Sequence, residues 1–429
     1  MVETRPKRRS PMRTLLLVAA VLGPGFVTAS AGNDVGGIAV YSSAGAQFGY
    51  SILWILVPLT VALIVVQEMA TRMGCVTGKG LAALFRENFG VRISFFAMVM
   101  LFLINTLITA TEFAGIIGAA DIFHLSRWLV VPGALLAVFL FVLRFDNKIV
   151  ERVFVVFSLI YVSYIFSAIL AKPDWHAVVR GALVPTFEWK TAGWVTMIVG
   201  LIGTTISPYM QFFLQSAVVD KGSRTEDLPL ARADVINGSF LAIALAGFMI
   251  IANAATIYLA NQHGGHINPQ AAVDFAVALR PLAGQMAATI FALGILNAGL
   301  FTATVLPLST AYVICEAFGF EASIDHKFKE APVFFTLFGT GLVLGAAIVL
   351  IPGIPLFAFI FYAQVVQGLL LPAELVLMLI IVNRSHIMGK HTNSIAANVV
   401  GWATVVTISL LSILYVLAQF IPQILGGGS

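Results

Sequence analysis

Apolar segments of roughly the same length recur along almost the whole chain and are separated by short polar connections. About 20 consecutive apolar residues cross the hydrocarbon core of a bilayer as an α-helix. The pattern predicts eleven membrane-spanning helices, at approximately 13–47, 50–72, 93–120, 128–144, 150–171, 193–219, 233–260, 283–317, 331–352, 354–383 and 395–421. The first and eighth segments exceed the length of one plain helix, which predicts a break or a tilted extension in each.

Composition supports a membrane protein. Hydrophobic residues make up 59% of the 429 residues and charged residues 10%, whereas a soluble domain carries about 25% charged residues. We therefore expect a single all-α transmembrane domain over 1–429, with the lipid bilayer as its surroundings. The net charge of +4 reports on membrane orientation rather than on nucleic-acid binding. No nucleic-acid partner is expected, and no obligate protein partner is inferred.

Lysine and arginine are distributed unequally between the two sides of this topology. With a cytoplasmic N-terminus, 19 of the 24 basic residues fall in inner segments. The five outer ones are Arg127, Lys172, Arg180, Lys190 and Arg280. The positive-inside rule then predicts a multi-pass protein of the cell membrane with its C-terminus outside. In an alternative interpretation, the basic leader, its apolar run and the sequence ASA at 29–31 form a cleaved signal peptide, which would leave ten spans.

Two predicted spans contain residues that interrupt a helix at mid-membrane. The first span contains GNDVGG (Gly32–Gly37), and the sixth contains GTTISPYM (Gly203–Met210). Separately, the glycines suit a packing notch and the proline suits a simple kink. Together, five spans apart, they predict two inverted five-helix repeats at about 13–171 and 193–383 with an extra helix at about 395–421. Irregular backbone at this depth lines a cavity or is buried in protein, which favours a transport site.

Asp34 lies inside the first interruption. A charged side chain at the bilayer centre costs at least ~2.5 kcal/mol, and no Lys or Arg lies in the apolar part of any predicted span. A cation from solution is the expected partner, and a proton is the alternative. The carbonyls of Ala31 and Thr204, where the first half of each interrupted helix ends, are candidate cation ligands. Glu68, in the second span, is expected to be solvated or to pair with Arg72 four residues on.

Three segments resemble a known family. GPGFVTASAGNDVGGIAVYSSAGAQFGYSILW (Gly23–Trp54) closely resembles the first helix of the Nramp divalent-metal transporters. IGTTISPYMQFFLQSAVV (Ile202–Val219) resembles their sixth helix, and AQVVQGLLLP (Ala363–Pro372) resembles their tenth. The resemblance implies a LeuT-type fold and divalent-cation transport. It also implies a contact from Gln364, which matches the family's glutamine, to the ion or its hydration shell.

The departures from the family pattern concern the metal ligands. The family's Asp-Pro-Gly-Asn is Asp34-Val35-Gly36-Gly37 here, so Gly37 stands where the family has an asparagine ligand. Ser207 replaces the methionine of the sixth helix. Thioethers favour softer metals, whereas oxygen ligands suit Mg²⁺, Ca²⁺ or Mn²⁺. A roomy, all-oxygen site with one carboxylate suits partly hydrated Mg²⁺, and the constellation is most like the prokaryotic Nramp-related magnesium transporters.

The predicted metal site therefore consists of Ala31, Asp34, Gly37, Thr204, Ser207 and Gln364. For Ser207 an alternative remains open, because a serine hydroxyl in a helix can bond its own backbone. The metal ion is cargo, and no resident cofactor is expected.

Residues that couple metal to protons in the family are replaced here. The family's third helix carries Asp-x-x-Glu, which corresponds to Glu112 and Gly115. The sixth-helix histidine is Tyr209, and the ninth span has no arginine. These changes predict weak or no proton coupling. Transport would then be driven by the metal gradient and by roughly 4.6 kcal/mol per 100 mV for a divalent ion.

Three other functions stay open. One is an Nramp-type carrier of Mn²⁺ or of a broad range of divalent metals, with proton coupling. Another is an amino-acid or organic-cation transporter of the same fold. An intramembrane enzyme or receptor is disfavoured, because the spans contain neither a nucleophile–base pair nor a zinc motif.

Overall fold

The computed structural model describes residues 33–144, 162–188, 191, 193–264, 269, 272–322 and 328–420. Within these ranges the regular structure is helical throughout, which confirms the predicted all-α class. The α-helices of nine or more residues are α1 (Val35–Phe48), α2 (Leu56–Thr77), α3 (Leu81–Ile122), α4 (Arg127–Arg144), α5 (Val162–Leu170), α6 (Trp175–Leu183), α7 (Trp194–Thr205), α8 (Pro208–Asp220), α9 (Leu228–Asn253), α10 (Ala287–Phe318), α11 (Pro332–Leu350), α12 (Leu356–Val382) and α13 (Ile395–Phe420).

Each of the eleven predicted spans overlaps at least one of these helices, and the sixth corresponds to α7 followed by α8. Eight helical stretches in the described part of the chain are long and apolar enough to cross a membrane, and Arg127–Val142 is apolar but shorter. α1 and α2 count as one stretch because a 3₁₀ turn, Gly49–Ile55, joins them. Residues 13–32 of the first predicted span and 150–161 of the fifth lie outside the described residues. The two inverted repeats remain a prediction.

The eighth span is long because it is extended and not because it breaks. α10 runs without interruption for 32 residues, which is about 48 Å at 1.5 Å per residue. That exceeds the ~30 Å hydrocarbon core, so a tilt or an extension beyond the bilayer accommodates it. In α3 the backbone bends at Gly90, where φ is 79°. The predicted start of the third span, residue 93, lies just past this bend.

The interrupted sixth span lies at the centre of the bundle. Most residues of α7 and α8 are buried, whereas few residues of α13 are. α7 packs against α12 and α1, and α12 also packs against α1 and α3. This packing brings the start of α1, the gap between α7 and α8, and the middle of α12 into one buried region.

Candidate cation site

Asp34 is the N-cap of α1. Its backbone is extended, and its Oδ1 accepts a hydrogen bond from the Gly37 N–H at 2.7 Å. An N-cap carboxylate satisfies one of the open amides of the first turn and meets the positive end of the helix dipole. The side chain is 3% exposed. The intramembrane aspartate therefore anchors the helix start and also places a buried negative charge there.

The sixth span is interrupted for two residues. α7 ends at Thr205, and α8 begins at Pro208. Because proline has no N–H, the carbonyl of Thr204 lacks the amide donor that a continuous helix would supply four residues on. This carbonyl instead accepts a hydrogen bond from the Ser207 hydroxyl at 3.2 Å. The predicted break in the sixth helix is thus present, and it leaves the Thr204 carbonyl oxygen without a backbone amide donor.

Ser207 bonds its own backbone, as the alternative interpretation of this residue anticipated. Its hydroxyl reaches the carbonyl of Gly203 at 3.1 Å as well as that of Thr204. The serine oxygen keeps its acceptor lone pairs when the proton is donated. The structure therefore leaves Ser207 able to contact a cation while it holds the end of α7.

A hydrogen bond joins α1 to α7 beside the gap in the sixth span. The Tyr41 hydroxyl on α1 lies 2.9 Å from the Thr205 Oγ1 on α7. Thr205 donates its own proton to the Leu201 carbonyl at 2.6 Å, so Tyr41 is the donor in the bond between the helices. Tyr41 therefore fixes the middle of α1 against the end of α7.

Gln364 lies between these two helix ends. A Cβ atom added to Gly36 would lie 1.8 Å from the Gln364 Nε2, and one added to Gly203 would lie 2.1 Å from the Gln364 carbonyl oxygen. The two glycines therefore let α12 approach both α1 and α7 directly. Gln364 is fully buried, and neither atom of its amide finds a hydrogen-bond partner within the described structure. A buried amide without partners is ready to receive a ligand or a water.

A second carboxylate faces the start of α1. The Oε2 of Glu112, on α3, accepts a hydrogen bond from the Val35 N–H at 3.4 Å. Its Oε1 has no partner among the residues that the structure describes, and the side chain is fully buried. The first turn of α1 thus meets two acids, Asp34 and Glu112, and its dipole favours both negative charges.

Two glycines give α3 close contacts with its neighbours on either side of Glu112 in the sequence. A Cβ atom on Gly115 would lie 2.4 Å from the Val35 Cγ1. One turn earlier on α3, a Cβ atom on Gly345 of α11 would lie 2.8 Å from the Thr109 Cγ2. The isopropyl group of Val35 and the methyl group of Thr109 therefore occupy the positions next to these two glycines. A larger side chain at either glycine would need a rearrangement.

The polar atoms that the candidate site offers are predominantly neutral oxygens. The described residues contain no group of three or more His, Cys, Asp and Glu side chains that could hold a metal ion. Across the same residues, the ion pairs are Glu68–Arg72, Lys79–Glu87 and Glu68–Arg232, none of which involves the site. The region can therefore attract a cation through Asp34 and Glu112 and surround it with hydroxyl, carbonyl and amide oxygens.

The predicted site residues have different outcomes. Asp34, Thr204, Ser207 and Gln364 lie on helix segments that pack against one another, and all four are buried. Ala31 lies outside the described residues. Gly37 contributes its N–H to Asp34, so its recorded contact is with the acid's side chain.

Sequence reasoning missed one buried acid and one structural role. Glu374 on α12 is buried, but it lies outside the segments that resembled the family. The N-cap role of Asp34 was predictable from the sequence, because aspartate is one of the residues preferred at the N-cap of a helix.

Comparison with known proteins places the chain in a wide group of relatives. The family model described as natural resistance-associated macrophage protein-like matches residues 25–418. The divalent metal cation transporter MntH of Yersinia pestis is 30% identical over 404 residues, which cover 92% of this chain and 93% of MntH. MntH of Klebsiella pneumoniae is 28% identical over 422 residues, which cover 96% of this chain and 97% of that protein.

Solved structures give the same picture of the fold. A manganese transporter of Eremococcus coleocola superposes with a TM-score of 0.73 at 24% identity and covers 97% of this chain and 89% of its own. Mhp1, a nucleobase-cation-symport-1 family transporter, superposes with a TM-score of 0.53 at 15% identity, with coverage of 95% and 94%. The predicted Nramp resemblance and LeuT-type fold are confirmed, and the relatives are named as transporters and not as enzymes. Their names refer to divalent metals or manganese, which does not support the magnesium branch in particular.

Proposed function

This chain belongs to the Nramp family of membrane transporters, and we propose that it moves divalent metal cations by alternating access, with partly hydrated Mg²⁺ as the preferred cargo. The observation that carries the proposal is the hydroxyl of Ser207 at the gap between α7 and α8. A thioether there would favour softer metals, and a hydroxyl favours hard ones. The proposed ligands are Asp34, Thr204, Ser207 and Gln364, together with Ala31 and the space left at Gly37.

The balance between charged and neutral ligands supports magnesium. Mg²⁺ gives up its water reluctantly and is commonly held by one or two carboxylates with several waters retained. Asp34 is one such carboxylate, and Glu112 faces the same helix end. The hydroxyl and carbonyl oxygens at the α7–α8 gap are suited to contact water on the ion as well as the ion itself.

We further propose that transport is not coupled to protons. A proton relay needs titratable groups within reach of one another. Position 115 has no side chain, and a Cβ atom there would meet Val35 at 2.4 Å. Likewise, α11 approaches α3 through Gly345, where a Cβ atom would meet Thr109 at 2.8 Å. These contacts leave Glu112 without a second acid or a basic partner from those two positions, which supports uncoupled passage.

A proton-coupled manganese carrier is the second candidate. The MntH relatives are named divalent metal cation transporters, and the Eremococcus coleocola structure is that of a manganese transporter. Mn²⁺ also accepts oxygen ligands, so the present site does not exclude it. Glu112, with one oxygen lacking a partner in the described structure, is the residue through which a proton would move in this case.

The basic residues support the orientation proposed for this function. The 19 basic residues assigned to inner segments, against five outer ones, favour a cytoplasmic N-terminus and an external C-terminus in the cell membrane. Entry of a divalent cation down a negative-inside potential would then gain roughly 4.6 kcal/mol per 100 mV.

Uptake into proteoliposomes tests both parts of the proposal. Purified protein is reconstituted with a Mg²⁺ dye, a Mn²⁺-quenched dye or a pH dye inside, and a potassium-diffusion potential is imposed. We expect Mg²⁺ to enter without acidification of the lumen, and protein-free liposomes give the leak rate. Uptake of Mn²⁺ without Mg²⁺ would contradict the magnesium assignment. Acidification in step with metal entry would favour the manganese carrier.

A further inference from the structure

Glu374 lies inside a membrane-spanning helix, two turns from its end, as the nineteenth of the 27 residues of α12. The side chain is 8% exposed, and neither carboxylate oxygen has a hydrogen-bond partner in the described part of the chain. An ionisable residue at this depth is costly, and it is retained where it serves an ion path or a proton.

The other buried or half-buried acids have partners. Asp34 accepts the Gly37 amide, Glu112 accepts the Val35 amide, and Glu316 accepts the Ser216 hydroxyl at 3.1 Å. Glu68 is paired with arginine. Glu374 differs because the protein supplies no such group to it within the described ranges, so helix capping or ion pairing does not explain its position.

Glu374 belongs to a line of polar residues along one side of α12. An α-helix turns 100° per residue, so Gln364 and Gln367 lie about 80° and 20° from Glu374 around the helix axis. Both glutamines are buried, and the side-chain oxygen of each is without a partner in the described structure. Four buried acceptor oxygens therefore follow one sector of the helix from the candidate site toward residue 383.

This line extends from the candidate site toward the side predicted to be cytoplasmic. Ten residues separate Gln364 from Glu374, which corresponds to about 15 Å along the axis. At the inner end of α12, Arg384 contacts Asn88 and the ring of Phe89 at the start of α3. Glu374 therefore lies between the metal site and the inner surface.

We infer that Glu374 is a second cation site, which holds a hydrated divalent ion after it leaves the site at Asp34, with the Gln367 carbonyl oxygen contacting its water shell. A single carboxylate with retained waters is a usual way of holding Mg²⁺, and Mn²⁺ accepts the same ligands. The inference rests on the proposed function, because it requires the cargo to be a divalent cation.

Counting bound ions tests this site. Mn²⁺ serves as the probe, because its electron paramagnetic resonance signal in solution disappears on binding. Purified protein is titrated to saturation as the unaltered chain, as Asp34→Asn, as Glu374→Gln and as both changes together. Glu316→Gln is the matched control, because that glutamate has a hydrogen-bond partner. Size-exclusion profiles and thermal unfolding confirm that each variant folds, and Gln367→Leu tests the same line without altering a charge.

We expect two ions on the unaltered chain, one on each single variant and none on the double variant, with the Glu316→Gln count unchanged. Proteoliposome uptake by Glu374→Gln should fall about tenfold, which corresponds to ~1.4 kcal/mol on the barrier. Two ions on Glu374→Gln, or unaltered uptake, would overturn the second site. If Asp34→Asn loses no ion, the proposed main site is wrong, and that result is independent of the result at Glu374.

Discussion

Two regions of the protein that bury acidic side chains supply them with different partners. At the start of α1, the carboxylates of Asp34 and Glu112 receive backbone amides. At the predicted inner end, Glu68 on α2 is bonded by Arg72 on the same helix and by Arg232 on α9. Both regions hold acids in a largely apolar bundle, but only the inner one is neutralised by side chains of the described chain.

All three nitrogen atoms of the Arg72 guanidinium group donate hydrogen bonds within the protein. It is 3% exposed, its Nε lies 3.1 Å from a Glu68 oxygen, and one terminal nitrogen donates to the His391 carbonyl at 2.6 Å. The other terminal nitrogen donates to the Asn393 side chain. A buried arginine with every direction satisfied joins α2 to the segment before α13, so this cluster serves structure.

The difference distinguishes a structural charge from a functional one. Where the chain supplies its own cation, as at Glu68, the acid helps to fix the packing of helices. Where the chain supplies only amides, as at Asp34, the negative charge remains to be balanced by something from solution. The kind of group that contacts a buried acid, more than how deeply the acid is buried, therefore separates the two roles. Three substitutions test that distinction.

The largest effect is expected from Asp34→Asn. Asparagine is as good an N-cap as aspartate, so α1 should keep its start while the charge that attracts the cation is lost. Mg²⁺ uptake in proteoliposomes should fall by about 100-fold or more, with a thermal unfolding midpoint close to that of the unaltered chain. The control is Asp174→Asn at the exposed N-cap of α6, where the carboxylate also accepts two amides. That variant should transport normally, and a folded Asp34→Asn protein with full uptake would place the ion elsewhere.

Arg72→Met should act on stability and not directly on transport. Removal of one partner from a buried ion pair costs about 3–5 kcal/mol, here near the lower end because Arg232 still contacts Glu68. The measurement is the free energy of unfolding in detergent with increasing denaturant. Arg232→Met is the matched control, since its side chain is 45% exposed and such pairs contribute roughly 0–1 kcal/mol. Equal losses in the two variants would contradict the structural role assigned to Arg72.

The smallest effect is expected from Ser207→Met, which changes a neutral ligand and leaves both clusters of charge intact. A thioether at the α7–α8 gap should shift preference toward softer ions such as Cd²⁺ and reduce Mg²⁺ uptake, by about 10-fold in the ratio of the two rates. Competition between Cd²⁺ and Mg²⁺ in proteoliposomes gives this ratio. Ser207→Ala is the control, because it removes the hydroxyl without adding sulfur. An unchanged ratio in Ser207→Met would remove this residue from the site.

Sequence was sufficient for the helices because length and apolarity determine where a chain crosses a membrane. The gap before Pro208 was also predictable, since proline breaks the helical hydrogen-bond pattern at a fixed distance. The pairing of Glu68 with Arg72 followed from their spacing along one helix. The contact of Glu68 with Arg232 did not, because it joins residues 164 positions apart and depends on how α2 and α9 pack.

Other features of the site also required three dimensions. Val35 packs against Gly115, and Gln364 packs against Gly36. Both contacts join helices that are distant in sequence. Glu374 was visible as a lone acid in an apolar segment, but its lack of a partner became a finding only once its neighbours were known. Ala31 and the beginning of the first span lie outside the described residues, so that part of the predicted site stays a prediction.

Val35 and Gly115 fill one volume between them, since even a methyl group at 115 would come within 2.4 Å of the valine. The two positions are therefore sterically coupled: any side chain at 115 would need a smaller residue at 35 or a displacement of one helix.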